Sequence, residues 1–398
     1  MKRLPRIVPT LSAVLLLAAS AAGAAPSVPS PESVLGFRPG ADRKLADWTQ
    51  IVDYFQRLDA ASDRVKVEEI GRTTDDRPFL VAIITSETNM ARLEEIRRAN
   101  LRLADPRGLS PEDAERLIAT GKTIVAVNHG IHSDEVAATQ TAMETAYALA
   151  TGDSAEIHEI LDNTVVVLLP SHNPDGTQRI AEWYRQSLGT PWEGHEAPFL
   201  YQRYTGHDNN RDWYMFTQRE SRLTLQGLYE PWRPQIVHDI HQMGPRSARL
   251  FAPPYLDPWE PNVDPALIAA VNGLGTHVAA VLTSEGHKGV VVHAIYDAWS
   301  PSRAYPHTHG GVRLLTESAS ARMASPIDVR FEDLQPGIAY DPRVRSWNLP
   351  APWPGGTWRL RDIVDDQMAA TRAILTHAAR NRAYWLRTFY EVNRRATL

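Results

Sequence analysis

Two short apolar runs, residues 123–127 and 165–169, constrain this chain more than any other feature, because they lack a regular polar and apolar alternation; residues 236–240 read as a further strand. A strand that is apolar on both sides is buried on both faces, the condition of a parallel sheet covered by helices. The sequence between and around these runs supplies such helices. Leu45, Trp48, Val52, Phe55 and Leu58 recur at helical spacing, a helix is expected over about 134–150, and a long amphipathic one over about 360–387. Residues 65–70 and 79–84 read as strands of a hairpin joined by the turn 71–77, and 290–292 and 312–316 as further strands. Residues 86–119 read as two charged helices, the second opened by Ser110-Pro111-Glu112-Asp113, where Ser caps, Pro takes the first turn and the acids face the helix dipole. The expectation is one α/β domain over 41–398, with a mixed, mostly parallel twisted sheet, helices on both faces and a helical insertion at about 86–119.

Before that domain, Lys2, Arg3 and Arg6 precede an apolar run through Leu11, Val14, Leu15, Leu16, Leu17 and Ala18 that ends in Ala22-Gly23-Ala24. The run is too short to span a bilayer and reads as a signal peptide over 1–24, followed by a flexible Pro-, Ser- and Gly-rich leader over 25–40. A secreted or periplasmic protein with no stable membrane anchor after cleavage is expected. With 0 cysteines, no disulfide or thiol lipid anchor is available, so the core and any bound metal must hold the fold. Cleavage would remove three cations and no acid, moving the formal charge further below −5. An acidic chain lacks the basic surface that neutralises phosphates, so nucleic acid is excluded as the expected partner.

Gly130-Ile131-His132-Ser133-Asp134-Glu135 follows one apolar run and opens the helix after it. Ligands gather at the carboxyl ends of strands in α/β sheets, and an imidazole and a carboxylate three residues apart across such a turn can converge on one ion. His241, at the end of the run 236–240, occupies the same kind of place on another strand. Two histidines and a glutamate make an open zinc site with a position left for water. His129 in the same loop and His238 on the same strand are rival ligands, although His238 is three residues from His241 and points to the opposite face of a regular strand.

The motif resembles the metal-binding motif of the zinc carboxypeptidases, the carboxypeptidase A-like family, and the resemblance continues in order along the chain. Ile70-Gly71-Arg72-Thr73 with Arg77-Pro78 is similar to the family's early turn, and Asn173-Pro174-Asp175-Gly176 to a loop after a strand. Asp208-Asn209-Asn210-Arg211-Asp212-Trp213, Ile295-Tyr296-Asp297-Ala298 and Leu315-Thr316-Glu317 complete the series. The resemblance implies one Zn2+ per chain held by His132, Glu135 and His241, with Asp208 accepting the far N–H of His132. It implies Glu317 as the general base that takes a proton from the attacking water and passes it to the leaving nitrogen. Asn210 and Arg211 would grip the substrate's terminal carboxylate, Tyr296 would cover the substrate, and Arg185, if a gap is allowed, would polarise the scissile carbonyl. Residues 302–304, which include Arg303, would shape the pocket for the terminal side chain. Residues 189–206 form a loop that departs from the family.

The expected activity is therefore zinc-dependent hydrolysis of C-terminal peptide bonds in peptides or peptide-like substrates with a free carboxylate. The alternatives are an amidase, deacylase or peptidoglycan stem-peptide hydrolase on the same scaffold, and an inactive metal-bound binding protein, against which retention of Glu317 argues.

Overall fold

Adjacent residues of one strand feed opposite cores. In β2 (Pro78–Ile84), Leu80, Ala82 and Ile84 pack with the helices Trp48–Ala61, Ala137–Thr151 and Leu360–Arg380, while Phe79, Val81 and Ile83 pack with Ile96, Trp213, Leu228 and Trp232. The period of two carries one apolar set to each face, so the sheet is covered on both sides. The computed structural model describes residues 27–200, 206–297 and 305–397. The signal peptide expected at 1–24 and the pocket window 302–304 lie outside the described residues.

The main sheet also contains β1 (Val65–Arg72), β3 (Thr123–Asn128), β4 (Thr164–Leu169), β5 (Ile236–Met243), β6 (Leu250–Phe251), β7 (Val290–Val291) and β8 (Val312–Ala319), in the order β1-β2-β4-β3-β5-β8-β6-β7. The central pairs β4/β3, β3/β5 and β5/β8 are parallel, and β1/β2, β2/β4 and β8/β6 are antiparallel. This is a single α/β domain with a mixed, mostly parallel eight-stranded sheet. β5 and β8 run three residues further than their apolar cores suggested, through His241 and Glu317, and the extension carries polar residues to the end of the sheet.

Three other expectations change. The insertion 86–119 holds the one-turn helix Glu87–Met90 before Leu93–Ala104 and Pro111–Thr120. The C-terminal helix is two helices, Leu360–Arg380 and Arg382–Ala396, because the Asn381 side chain donates to the carbonyl of His377 and closes the first one. Residues 27–40, read as a flexible leader, contain the helix Pro31–Leu35, capped by Ser30 and anchored by buried Leu35 in the main core. The helix Pro265–Ser284 is long and apolar enough to cross a membrane, and its stripe Leu267, Val271, Leu274, Val278 and Leu282 is buried in the main core.

Candidate metal centre

The turn after β3 depends on two glycines. Gly130 has φ +60°, and a Cβ there would lie 2.8 Å from the Thr139 methyl, so glycine lets the chain reverse against the following helix. Gly176, in the first turn of the helix Pro174–Ser187, lets the Ser133 hydroxyl approach to where a Cβ would be 2.2 Å away. The Ser133 hydroxyl also donates to the carbonyl of Asn173 at 3.2 Å. These contacts fix the loop that carries His132 and Glu135.

His132, Glu135 and His241 come together at the carboxyl ends of β3 and β5, each offering a ligand atom within 4.8 Å of the others. His132 Nδ1 is 2.6 Å from Glu135 Oε1, and His241 Nδ1 is 3.1 Å from Glu135 Oε2. Glu135 Oε2 also accepts the backbone N–H of Gln242 at 3.0 Å. The Gln242 side-chain carbonyl accepts from the N–H of Ala137, which begins the next helix without a side-chain cap of its own. Strand and helix are thereby locked at the ligands.

The far nitrogen of each imidazole meets a carboxylate. His132 Nε2 is 3.3 Å from Asp208 Oδ1, and His241 Nε2 is 3.3 Å from Asp239 Oδ2. This arrangement fixes tautomer and ring orientation in metal-bound histidines. Both ring nitrogens of buried His241 lack a well-aligned hydrogen bond despite those short distances. Such geometry suits an Nδ1 lone pair aimed at an ion better than an N–H aimed at Glu135. The donor set of two imidazoles and one carboxylate fits zinc in an open site.

Electrostatics support the same fit. Burial opposes charge on the Glu135 carboxyl, but His241 and His132 hold its pKa at about 2. Burial likewise opposes charge on His132 and His241, yet Glu135 and Asp208 raise the first to about 9, and Asp239 and Glu135 raise the second to about 10. The carboxylates stabilise positive charge where the imidazoles meet.

The rival histidines are engaged elsewhere. His238 Nε2 contacts the Thr316 hydroxyl at 3.0 Å and its Nδ1 the Thr371 hydroxyl at 3.3 Å, on the face opposite His241. His129 Nδ1 donates to the carbonyl of Leu169 at 3.0 Å, and burial depresses its pKa to about 4.

Glu317 is the register partner of His241 on β8, so the two residues are neighbours on one face of the sheet. Asp208 caps the short turn Asn209–Arg211 by accepting from the N–H of Asn210. In that turn the Asn209 side chain donates to the carbonyl of Ile131, tying the segment to the metal loop. The buried Asn210 Nδ2 has no hydrogen-bond partner among the described residues, and the half-exposed Arg211 donates to the carbonyl of Asn210 at 3.2 Å. Asp212, the neighbour that could have neutralised Arg211, accepts instead from Thr217 and Gln218. Tyr296 is 45% exposed and follows β7.

Arg185 is not brought to the metal ligands. Its guanidinium donates to Asp47 at 2.6 Å, to the side-chain oxygen of Gln50 at 2.7 Å and to the carbonyl of Leu45 at 3.1 Å, around the start of the helix Trp48–Ala61. The expected carbonyl-polarising role is withdrawn, because these acceptors occupy the fork. Asp239 was missed, although its separation of two residues from His241 on a strand puts both on one face. Arg313 was missed as well. It is buried and donates to Asp239 and to Asp297.

Residues 51–235 match the family model for zinc carboxypeptidases. This segment carries the likeness to the zinc carboxypeptidase family. It includes His132, Glu135, Asp208, Asn210 and Arg211 and ends before His241. Carboxypeptidase A from Helicoverpa armigera is similar in structure, with a TM-score of 0.53 at 17% identity, over 89% of this chain and 80% of that one. Thrombin activatable fibrinolysis inhibitor gives a TM-score of 0.53 at 11% identity, over 85% and 75% of the two chains. A metallo-carboxypeptidase from Burkholderia cenocepacia gives 0.50 at 14% identity, over 83% and 68%. At such identities the likeness is one of fold. No match is found among the curated proteins. The fold is thus that of the zinc carboxypeptidases, with His132, Glu135 and His241 as a candidate metal site.

Proposed function

We propose that the chain is an exported zinc metallocarboxypeptidase that binds one Zn2+ through His132, Glu135 and His241 and removes C-terminal residues from peptides. The observation that carries this reading is the convergence of those three ligand atoms within 4.8 Å, with each imidazole backed by its own carboxylate. Bound there, zinc would supply Lewis acidity and lower the pKa of a coordinated water.

The protein's own residues account for the rest of the reaction. Glu317, at the end of the strand beside His241, accepts the proton of the attacking water and returns it to the leaving nitrogen. Arg211 and the Asn210 amide, which has no partner among the described residues, receive the substrate's terminal carboxylate, for which a guanidinium fork is suited. Tyr296 covers the bound substrate from its exposed position, with its hydroxyl available as a donor.

The test is zinc-dependent release of a free amino acid from blocked dipeptides, compared with acylated amino acids. Faster cleavage of the dipeptides is expected, with zinc binding lost in His132→Ala and His241→Ala. Faster turnover of the acylated amino acids would replace the reading with a deacylase, and full zinc occupancy in both alanine variants would overturn the ligand assignment.

A further inference from the structure

Arg313 lies on β8 four residues before Glu317, with its side chain 3% exposed. Its Nε donates to Asp239 Oδ2 at 3.0 Å, Nη2 donates to the same oxygen, and Nη1 donates to Asp297 Oδ2. That Asp239 oxygen is the one 3.3 Å from His241 Nε2. Asp297, whose side chain is fully buried, directly follows Tyr296. One guanidinium therefore spans the carboxylate behind a metal ligand and the carboxylate beside the exposed tyrosine. Its backbone is fixed too. The Tyr255 hydroxyl donates to the carbonyl of Arg313 at 3.2 Å and accepts the N–H of Leu315 at 2.7 Å, and His307 Nε2 lies 3.3 Å from the same carbonyl.

Burial alone does not call for an arginine here. Leu315, two residues on and facing the same way, fills its place as an apolar side chain, and buried ion groups are often replaceable by apolar ones without loss of stability. What the arginine adds is geometry, since a rigid planar fork can hold two carboxylates from different elements at once and an ammonium cannot.

We propose that Arg313 is a positioning residue that makes the settings of His241 and Tyr296 interdependent, through Asp239 on one side and Asp297 on the other. The proposal rests on the reading of His241 as a metal ligand and Tyr296 as the residue over the substrate. Removing either carboxylate leaves the guanidinium anchored at one end, and it shifts toward the partner that remains. Linkage is reciprocal, so metal binding at His241 orders the segment before Asp297, and the order of that segment strengthens metal binding by the same factor.

The experiment measures zinc affinity by chelator competition, and amide hydrogen exchange over residues 293–297, on the full chain and its variants. Asp297→Asn touches no ligand, yet should weaken zinc by roughly 3- to 10-fold, less than the ~10- to 100-fold of a direct outer partner such as Asp239. Asp239→Asn touches no residue of 293–297, yet should speed exchange there by several-fold. Adding zinc should slow that exchange in the wild type and leave it unchanged in Arg313→Lys, which keeps the charge without the fork. Zinc affinity unchanged in a folded Asp297→Asn, or exchange unchanged in Asp239→Asn, overturns the linkage. If Asp297→Asn does not fold, the Asp239→Asn exchange arm decides alone. His132→Ala separates the two possible failures. Zinc retained there removes the metal reading itself, whereas zinc lost there with unlinked carboxylate variants removes only the role of Arg313.

Discussion

His241 and Arg211 are both proposed to meet the reacting complex, yet the chain supports them differently. His241 sits within β5, flanked by β3 and β8, and is buried against Glu135 and Asp239. Arg211 ends a three-residue turn and is half exposed; among the described residues it donates to the carbonyl of Asn210 and lies 4.0 Å from Asp208. The metal half is preorganised by strands, and the substrate half is held by turns pinned at single points such as Asn209 to Ile131. Strand-borne groups should therefore give large, local losses when altered, and turn-borne groups smaller losses that depend on substrate.

The largest effect is expected at Glu317. Glu317→Gln should keep zinc and lose turnover by roughly 100- to 10,000-fold, because the amide cannot accept the proton. Metal analysis beside steady-state kinetics checks this. Retained turnover would move the base elsewhere and remove the contrast between the halves.

Acid should act next, through neutral histidines buried on β5 and in the loops that follow β3 and β4. Burial depresses His238 to about 3, and His129 and His172 to about 4. A histidine with a depressed folded pKa favours folding above its unfolded value of about 6.5, and that stability is lost as pH falls toward the folded pKa, because the unfolded chain binds more protons. His132 and His241, raised to about 9 and 10, are already protonated in the metal-free fold at pH 6.5 and add no slope below it. Metal-free protein should lose on the order of 6 kcal/mol between pH 6.5 and 4.5, measured by urea unfolding. A flat profile would mean that these rings are not held neutral.

Arg211→Ala tests the weaker half. It should reduce the preference for free over amidated termini by ~10- to 100-fold, the worth of a hydrogen bond to a charged group in a partly solvated place. Salt should weaken the wild-type preference, since an exposed guanidinium is screened. Equal cleavage of both substrates by the wild type would show that no carboxylate clamp operates.

The same contrast explains what the sequence could disclose. The apolar runs marked the central strands, and the ends of those runs marked His132, Glu135 and His241, because position at a strand terminus is a local property. Asp239 is also legible through its two-residue spacing from His241, the same periodicity that sends His238 to the opposite face. Arg313 and Asp297 were not legible, since 16 residues separate them and only the return of β8 beside β5 joins them to Asp239. Arg185 illustrates the converse. A motif with a gap says that an arginine is near a helix end but not which way the helix turns it, and the helix Pro174–Ser187 turns it toward the start of another helix.

Arg185 gives the smallest effect, and the resemblance and the structure assign it opposite kinds of role. Its guanidinium is 41% exposed in side-chain terms and meets Asp47, which is 11% exposed and also accepts the N–H of Gln50 as a helix cap. Arg185→Ala leaves that cap in place and removes a partly exposed ion pair with two further acceptors. The expected cost is about 1 kcal/mol. In a domain of this size that lowers the melting temperature by roughly 2 °C, while kcat and KM stay within about 2-fold. Arg185→Lys should recover part of the melting temperature, because a point charge can still pair with Asp47 but cannot reach Leu45 and Gln50 as well. A drop in kcat of about 100-fold without loss of stability, the size expected on removing an oxyanion donor, would return Arg185 to the reaction and require the 45–50 turn to release it when substrate binds.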